Sequence, residues 1–395
     1  MAITNPALAP VPVNRLLSLD VLRGITLAFM IMVNNNGGAG SWGFMNHAEW
    51  NGLTPTDLVF PTFVFVVGAS IVFAVEARLK RGATRASLAW HTVRRAVILF
   101  LLGMIINGAP FEAMDHLRYY GVLQRIAFCY LVVGLFYLWE KRVWALVTAL
   151  VVSLVGYWVL VRWVPVPGAG MPGRDIPFMD QRMNLVSWLD RLVMPHHLYL
   201  DWAGPNLHNV RDPEGLLSHL PAFGTTLLGV LTALWLRSQR PAKQKALGLA
   251  AGAAACLALG YLWSLEFPLN KNMWTSSFVL VAAGWSLTVL TLAFCAMDLW
   301  SWGRGKSRFL VYPWLVLGSN AIMAYMFSEL VPGWIESIHF IDAGRRINPL
   351  EWMVKHVFLH LPDMGWTTFA FAVFTLSYCF IPMWILYRYK IFVKV

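Results

Sequence analysis

Apolar runs of roughly 20 residues follow one another from residue 17 almost to the last residue, and they decide what this chain can fold into. Each is long enough to cross a hydrocarbon core, where only a helix or a closed barrel satisfies every backbone N–H and C=O. The runs predict spans at about 17–35, 55–76, 96–108, 121–139, 143–163, 219–237, 245–263, 276–296, 309–331 and 366–388. The share of charged residues, 13%, is about half that of a soluble domain. The expected fold is an all-α, polytopic transmembrane bundle of about ten spans. It divides into an N-terminal tail at 1–16, a membrane domain at 17–389 and a C-terminal tail at 390–395. The third run is short, and reads as tilted, re-entrant or extended into its neighbours. No internal repeat and no Gly/Pro-broken span stands out.

The net charge of +11 raises the question of an acidic partner such as nucleic acid. The positions of the charges answer it. With the N-terminus in the cytoplasm, ten crossings return the C-terminus there. The inside segments then hold 20 of the 31 lysines and arginines, among them Arg78, Arg85, Arg94, Arg95, Lys141, Arg237, Arg304, Lys306 and Lys394. That is the positive-inside bias of a membrane protein, and no nucleic acid is implied. The outside segments are 36–54, 164–218 and 332–365, the last with an interfacial helix around Pro349–Leu361. All four cysteines lie within apolar runs, so no disulfide framework is expected. Asp20 and Arg23 interrupt the first run and no cleavage site follows it, which makes it a retained anchor. No Asn-x-Ser/Thr sequon occurs, which points to a bacterial inner membrane.

Chemistry concentrates where the second span begins, in "NHAEWNGLTPTDLVFP" (46–61). Thr54, Pro55 and Asp57 make a good helix start by themselves, since a capping box explains all three. His47 is harder to account for structurally. Its imidazole can take a proton near neutral pH or attack a carbonyl, with Asp57 holding one tautomer. The "MVNNNGG" stretch (32–38) supplies Asn34 as a neutral donor for an oxyanion. Asp20 and Arg23 are spaced to pair on one helix face. Arg125 lies inside the fourth run, where an unpaired cation is expensive. Each of these three is either a structural ion partner or a ligand contact. "RDPEGLLS" (211–218), "PLNKNMWTSS" (268–277) and "GSNAIMAY" (318–325) are polar clusters at the ends of spans. The His196–His197 pair lacks further ligands at a diagnostic distance, so no metal is expected.

Taken together, "SLDVLRG", the "VN" at 33–34, "HAEWNGLTPTDLVFP", "GVLQRI", "DRLVMPHHLY", "DPEGLLS", "LNKNMWTSSFV", "GSNAIMAY" and the terminal "YKIFVKV" resemble, in order, the heparan-alpha-glucosaminide N-acetyltransferase family. The resemblance implies a transmembrane enzyme that moves acetyl from cytosolic acetyl-CoA, a cosubstrate, to the amine of a glucosamine-type sugar. It marks His47 as the active-site residue with Asn34 beside it, and points to a homodimer. On that basis the catalytic candidates are His47, Asn34 and Asp57. Substrate contacts are expected from Trp50, Asn51, His197, Glu214, Asn270, Lys271, Asn272 and Asn320, and acetyl-CoA contacts from Asp20, Arg23 and Arg125. A membrane transporter of N-acetylglucosamine or a related sugar is the competing reading, and a purely structural scaffold the third.

Overall fold

The computed structural model describes residues 16–36, 40–108, 117–199, 210–302 and 307–393. Arg15, Arg304, Lys306, Lys394 and nearly all of the expected N-terminal tail lie outside the described residues. The fold is an all-α bundle. Its helices are α1 (Leu17–Asn34), α2 (Val59–Leu79), α3 (Arg85–Ile106), α4 (Val122–Trp139), α5 (Val143–Trp163), the short α6 (Leu185–Val193), α7 (His219–Arg237), α8 (Ala242–Trp263) and α9 (Ser276–Phe294). They are followed by α10 (Arg308–Ser319), α11 (Ala321–Glu336), the one-turn α12 (Pro349–Met353) and α13 (Met364–Arg388). A hairpin of β1 (Phe340–Asp342) and β2 (Arg345–Ile347) is the one sheet among the described residues. Nine helices among the described residues are long and apolar enough to cross a membrane, and the bent pair α10–α11 brings the number to ten.

Two expected spans differ from the observed ones. The third is not short: α3 has 22 residues and starts at Arg85, because the Thr84 hydroxyl accepts from Ser87 N at 3.2 Å and caps it. Arg85, His91, Arg94 and Arg95, expected in a loop, are therefore helical. Their charge had masked the start of the helix. The span expected at 309–331 is not one helix but two, meeting at 73° around Asn320. The expectation of no broken span was thus wrong. The break is stabilised from outside: the Asn320 amide donates to Ile391 O at 3.0 Å, and its carbonyl accepts from Val393 N at 2.9 Å. The backbone groups that this stretch of chain cannot pair within a helix find a side chain instead.

α1, α2, α4, α7 and α9 make up the buried centre, while α3, α5, α8 and α13 show most of their surface outward. α2 and α7 cross where each has a glycine. A Cβ on Gly68 would stand 1.9 Å from Thr226 O, and one on Gly229 1.9 Å from Phe65 O. Removing two side chains lets the backbones touch, which is how helices pack when lipid supplies no hydrophobic drive between them. α1 and α10 use the same device, Gly24 lying against the Trp314 carbonyl and Gly318 against that of Asp20. The start of α1 is fixed by Asp298, whose carboxylate accepts from Leu17 N and Ser18 N at 3.3 and 3.1 Å.

Gly68→Leu is expected to cost about 3 kcal/mol or more, the upper end for overpacking, because the obstruction is backbone. Gly156→Leu, at a position with open space around it, should be close to neutral. Thermal unfolding of both variants in detergent tests this.

Candidate active site

The loop before α2 is organised by one buried carboxylate. Asp57, 1% exposed, accepts from Ala48 N at 3.1 Å, Thr54 N at 3.0 Å and Thr54 Oγ1 at 3.0 Å, and lies 2.7 Å from His47 Nδ1. An ionised carboxylate only accepts, so Nδ1 carries the ring proton and Nε2 presents a lone pair. The imidazole itself is half exposed. Lys271 Nζ approaches it at 3.1 Å from both ring nitrogens and 3.9 Å from Asp57. With Nδ1 already donating, Nε2 is the nitrogen that can accept from Lys271. Burial lowers the Lys271 pKa below the usual lysine range; Asp57 and Glu214 oppose that shift and Arg125 adds to it.

The rest of the loop is pinned to the segment before α9. Gly52 N donates to Leu269 O at 2.8 Å, and the Asn270 amide donates to Asn51 Oδ1 at 3.1 Å. Asn270 Oδ1 in turn accepts from Met273 N at 2.8 Å, which shapes the tight turn carrying Lys271, Asn272 and Trp274. Trp50 Nε1 donates to Met179 O at 3.0 Å, and the Arg211 guanidinium covers its ring at 4.4 Å. The structure therefore brings together His47, Asp57, Lys271, Asn51 and Asn270, with Trp50 at the edge.

Behind this turn lies a buried ionic cluster. Arg118 reaches Asp212 through Nε and Nη2 at 2.8 and 2.6 Å and Glu214 at 2.5 Å. Burial raises the Glu214 pKa, but Arg118, Arg125 and Lys271 more than offset it and hold the carboxyl below its ordinary value. Asp190, fully buried on α6, accepts from Leu216 N at 2.8 Å while its Oδ2 has no partner among the described residues. Burial pushes this carboxyl up to about 7. Arg125 is also fully buried; it donates to the Ser218 hydroxyl and lies 4.5 Å over the Trp274 ring.

Other candidates are placed elsewhere. Asn34, exposed at the end of α1, donates one amide N–H to Glu329 of α11 at 3.0 Å. His197 stacks on Tyr119 at 4.0 Å and bonds the Leu117 carbonyl at 2.9 Å. Asn320 sits at the helix break, its amide held by the C-terminal segment. Asp20 and Arg23 pair at 3.5 Å, and Arg23 also donates to Ser70 at 2.7 Å.

Arg23 does open onto something. A cavity of about 320 Å³ has Arg78, His91 and Arg95 at one end, Arg23 beside Ser70 partway along it, and Phe63, Val122, Leu123, Ile126 and Tyr325 toward the other. Along α2 it extends from Arg78 to Phe63, about 22 Å at the α-helical rise. Arg95 is steadied over Tyr130 at 4.5 Å. No residue of the 46–54 loop lines it. Phe63, Leu123 and Ile126 belong to the same apolar cluster as Phe60 and Trp274, whose rings are 5.1 Å apart, and Trp274 N bonds Lys271 O at 3.0 Å in the turn that touches His47.

A family profile described as heparan-alpha-glucosaminide N-acetyltransferase, catalytic, matches residues 15–267. The chain belongs to this family. The human and mouse heparan-alpha-glucosaminide N-acetyltransferases are 28% and 27% identical to it over 96% and 97% of its residues. The chain spans about three-fifths of the length of these curated relatives. The profile match to the heparan-alpha-glucosaminide N-acetyltransferase family contains His47, Asp57, Arg125 and Glu214; the Lys271 turn lies beyond its end. Reading the sequence missed Arg118, Asp190 and Asp212. Arg118 had a local signal, a cation at the edge of an apolar run, and Asp212 lay in the polar cluster 211–218, but the cation and its two acidic partners are 94 and 96 residues apart.

Asp190 titrates in a way that tests the cluster. Its folded pKa exceeds the unfolded value of 3.8, so the folded state holds more protons between about pH 4 and 7, and stability falls as pH rises through that window. Asp190→Asn should abolish this part of the slope in unfolding midpoints measured from pH 4.5 to 8. An unchanged slope would place the titration elsewhere.

Proposed function

We propose that this protein is a transmembrane N-acetyltransferase that moves acetyl from acetyl-CoA to the amine of a glucosamine-type sugar. In this reading it lies in a bacterial cytoplasmic membrane with both termini inside. The observation that carries the reading is the imidazole of His47, oriented by Asp57, on the opposite face from a cavity with a basic mouth. The charged nucleotide of acetyl-CoA binds at Arg23, Arg78 and Arg95 in the cytoplasm, and the slim pantetheine arm takes the apolar channel along α2. The acceptor amine approaches from the outer face. His47 Nε2 removes its proton, a task typically worth about 10²–10⁴-fold in rate, while the Asp57 bond keeps the basic nitrogen turned outward. Lys271, Asn51, Asn270 and Asn272 line the approach and read sugar hydroxyls, with Glu214 behind them.

One observation favours the transporter reading: the 73° break between α10 and α11 lies beside the cavity, and broken helices recur at transport sites. Against it, the Asn320 side chain at that break is already bonded to the C-terminal segment.

Purified protein is expected to release free CoA from acetyl-CoA when glucosamine is added, and His47→Ala to reduce that release by at least 10³-fold with an unchanged unfolding midpoint. Sugar flux in proteoliposomes lacking acetyl-CoA, indifferent to His47→Ala, would select the transporter instead. Arg78→Ala and Arg95→Ala should raise the KM for acetyl-CoA about tenfold, more at low salt than at high salt, and leave kcat within a factor of two. Steady-state kinetics at two ionic strengths measures this.

A further inference from the structure

A second hollow, of about 770 Å³, lies beyond the cavity along α2, at the other ends of α1 and α11. Its lining includes Asn34, Asn35 and Asn36 together with Glu336, Arg345 and Asn348. Both helices turn one face to both hollows. On α1, Met30 lines the inner hollow and Asn34 the outer, a single turn or about 6 Å apart. On α11, Tyr325 lines the inner hollow and Pro332 the outer. Glu329 falls between them, one turn after Tyr325 on the same face. What stands in this interval is a bond between the two helices, from the Asn34 amide to Glu329 Oε1 at 3.0 Å.

That bond is open to competition. Asn34 is the one hydrogen-bond partner of the Glu329 carboxyl among the described residues. An ammonium brings a charge and three donors where the amide brings two neutral ones, and charge-assisted bonds are roughly twice as strong as neutral ones. The outer hollow, with its amides and charged groups of both signs, suits a hydroxylated ligand that carries such an amine. It also adjoins the loop of the imidazole. The Asn36 amide donates to Ser41 Oγ at 3.4 Å, Ser41 Oγ donates to the side-chain carbonyl of Asn46, and Asn46 immediately precedes His47.

We propose that the Asn34–Glu329 bond is a gate between the thioester channel and an outer vestibule for the acceptor, opened by the acceptor's own ammonium group. This rests on the acetyltransferase reading above. Without acceptor, the bond closes the channel and keeps outside water from the thioester. An amino sugar in the vestibule takes the place of Asn34 on Glu329 and joins the two hollows. A neutral sugar lacks the charge and leaves the gate shut. Glu329 is thereby a specificity-determining residue, separating an amine from a hydroxyl or an acetamide.

Two measurements test this. Met30→Cys places a thiol in the inner hollow, and spheroplasts are treated from outside with a membrane-impermeant methanethiosulfonate; protein without this substitution controls for the four native cysteines. Adding Glu329→Ala should raise the modification rate of Met30→Cys about tenfold, as for loss of one hydrogen bond. Asn34→Ala cuts the same bond from its exposed end and is the second variant should the first fail to fold. Rates within about twofold of Met30→Cys alone in both variants overturn the gate. Glu329→Gln keeps a bond to Asn34 and loses the charge. Its KM for glucosamine should rise about tenfold, with the KM for acetyl-CoA within about twofold; an unchanged glucosamine KM overturns the role of the ammonium. Wild-type protein that releases no CoA with glucosamine refutes the acetyltransferase reading instead, and the modification rates still decide the gate.

Discussion

A carboxylate withdrawn from water at a membrane boundary needs every acceptor direction filled, and Asp57 fills its directions from a single loop. Two backbone N–H groups, a hydroxyl and an imidazole converge on it. Bonds to an ionised acceptor are the strong ones, so the same carboxylate starts α2, closes the 46–54 loop and fixes which nitrogen of His47 is basic. The capping box and the histidine pair are one construction. A cap would need only the Thr54 contacts; adding the imidazole turns a structural device into a positioning one. Everything proposed for this face depends on that shared carboxylate, because a rotated ring would turn its proton toward the space where its lone pair is required.

The two faces are built for different chemistry, and the bundle between them keeps the two apart. Glycine contacts draw α2 against α7 and α1 against α10, which leaves room along the other side of α2 for a channel. The channel begins among cations and ends against aromatic rings. Beyond those rings the environment becomes polar again, with Arg118, Asp212 and Glu214 fully committed to one another. Such a cluster contributes little net stability by itself, since desolvation offsets most of the attraction. What it provides is a rigid wall for the turn that carries Lys271.

Much of this was legible in the residues. Long apolar runs require helices in a hydrocarbon layer, so the class of fold follows from backbone satisfaction alone. The grouping of His47 with Asp57 follows from ten residues of local sequence ending in a cap. The docking of 269–274 onto that loop does not, because nothing in "LNKNMW" specifies a partner more than two hundred residues away. The extent of α3 was hidden by its arginines, which lower the hydropathy of a helix that still begins at a proper cap. The bonds from Asn320 to the backbone of Ile391 and Val393 were equally invisible in the local sequence. The bond from Asn34 to Glu329 joins residues 295 positions apart. In each case the missing information was long-range pairing, which composition and periodicity do not encode.

The clasp between Asn320 and the chain around Ile391–Val393 bears on how the protein is assembled. Val393 is itself a wall residue of the cavity, and a ribosome builds the chain from the other end. The central helices α1, α2, α4, α7 and α9 are all made before that wall residue exists. The cavity along α2 consequently stays unsealed throughout translation and insertion, and is finished only by the arrival of a segment made more than 70 residues after the side chain that receives it.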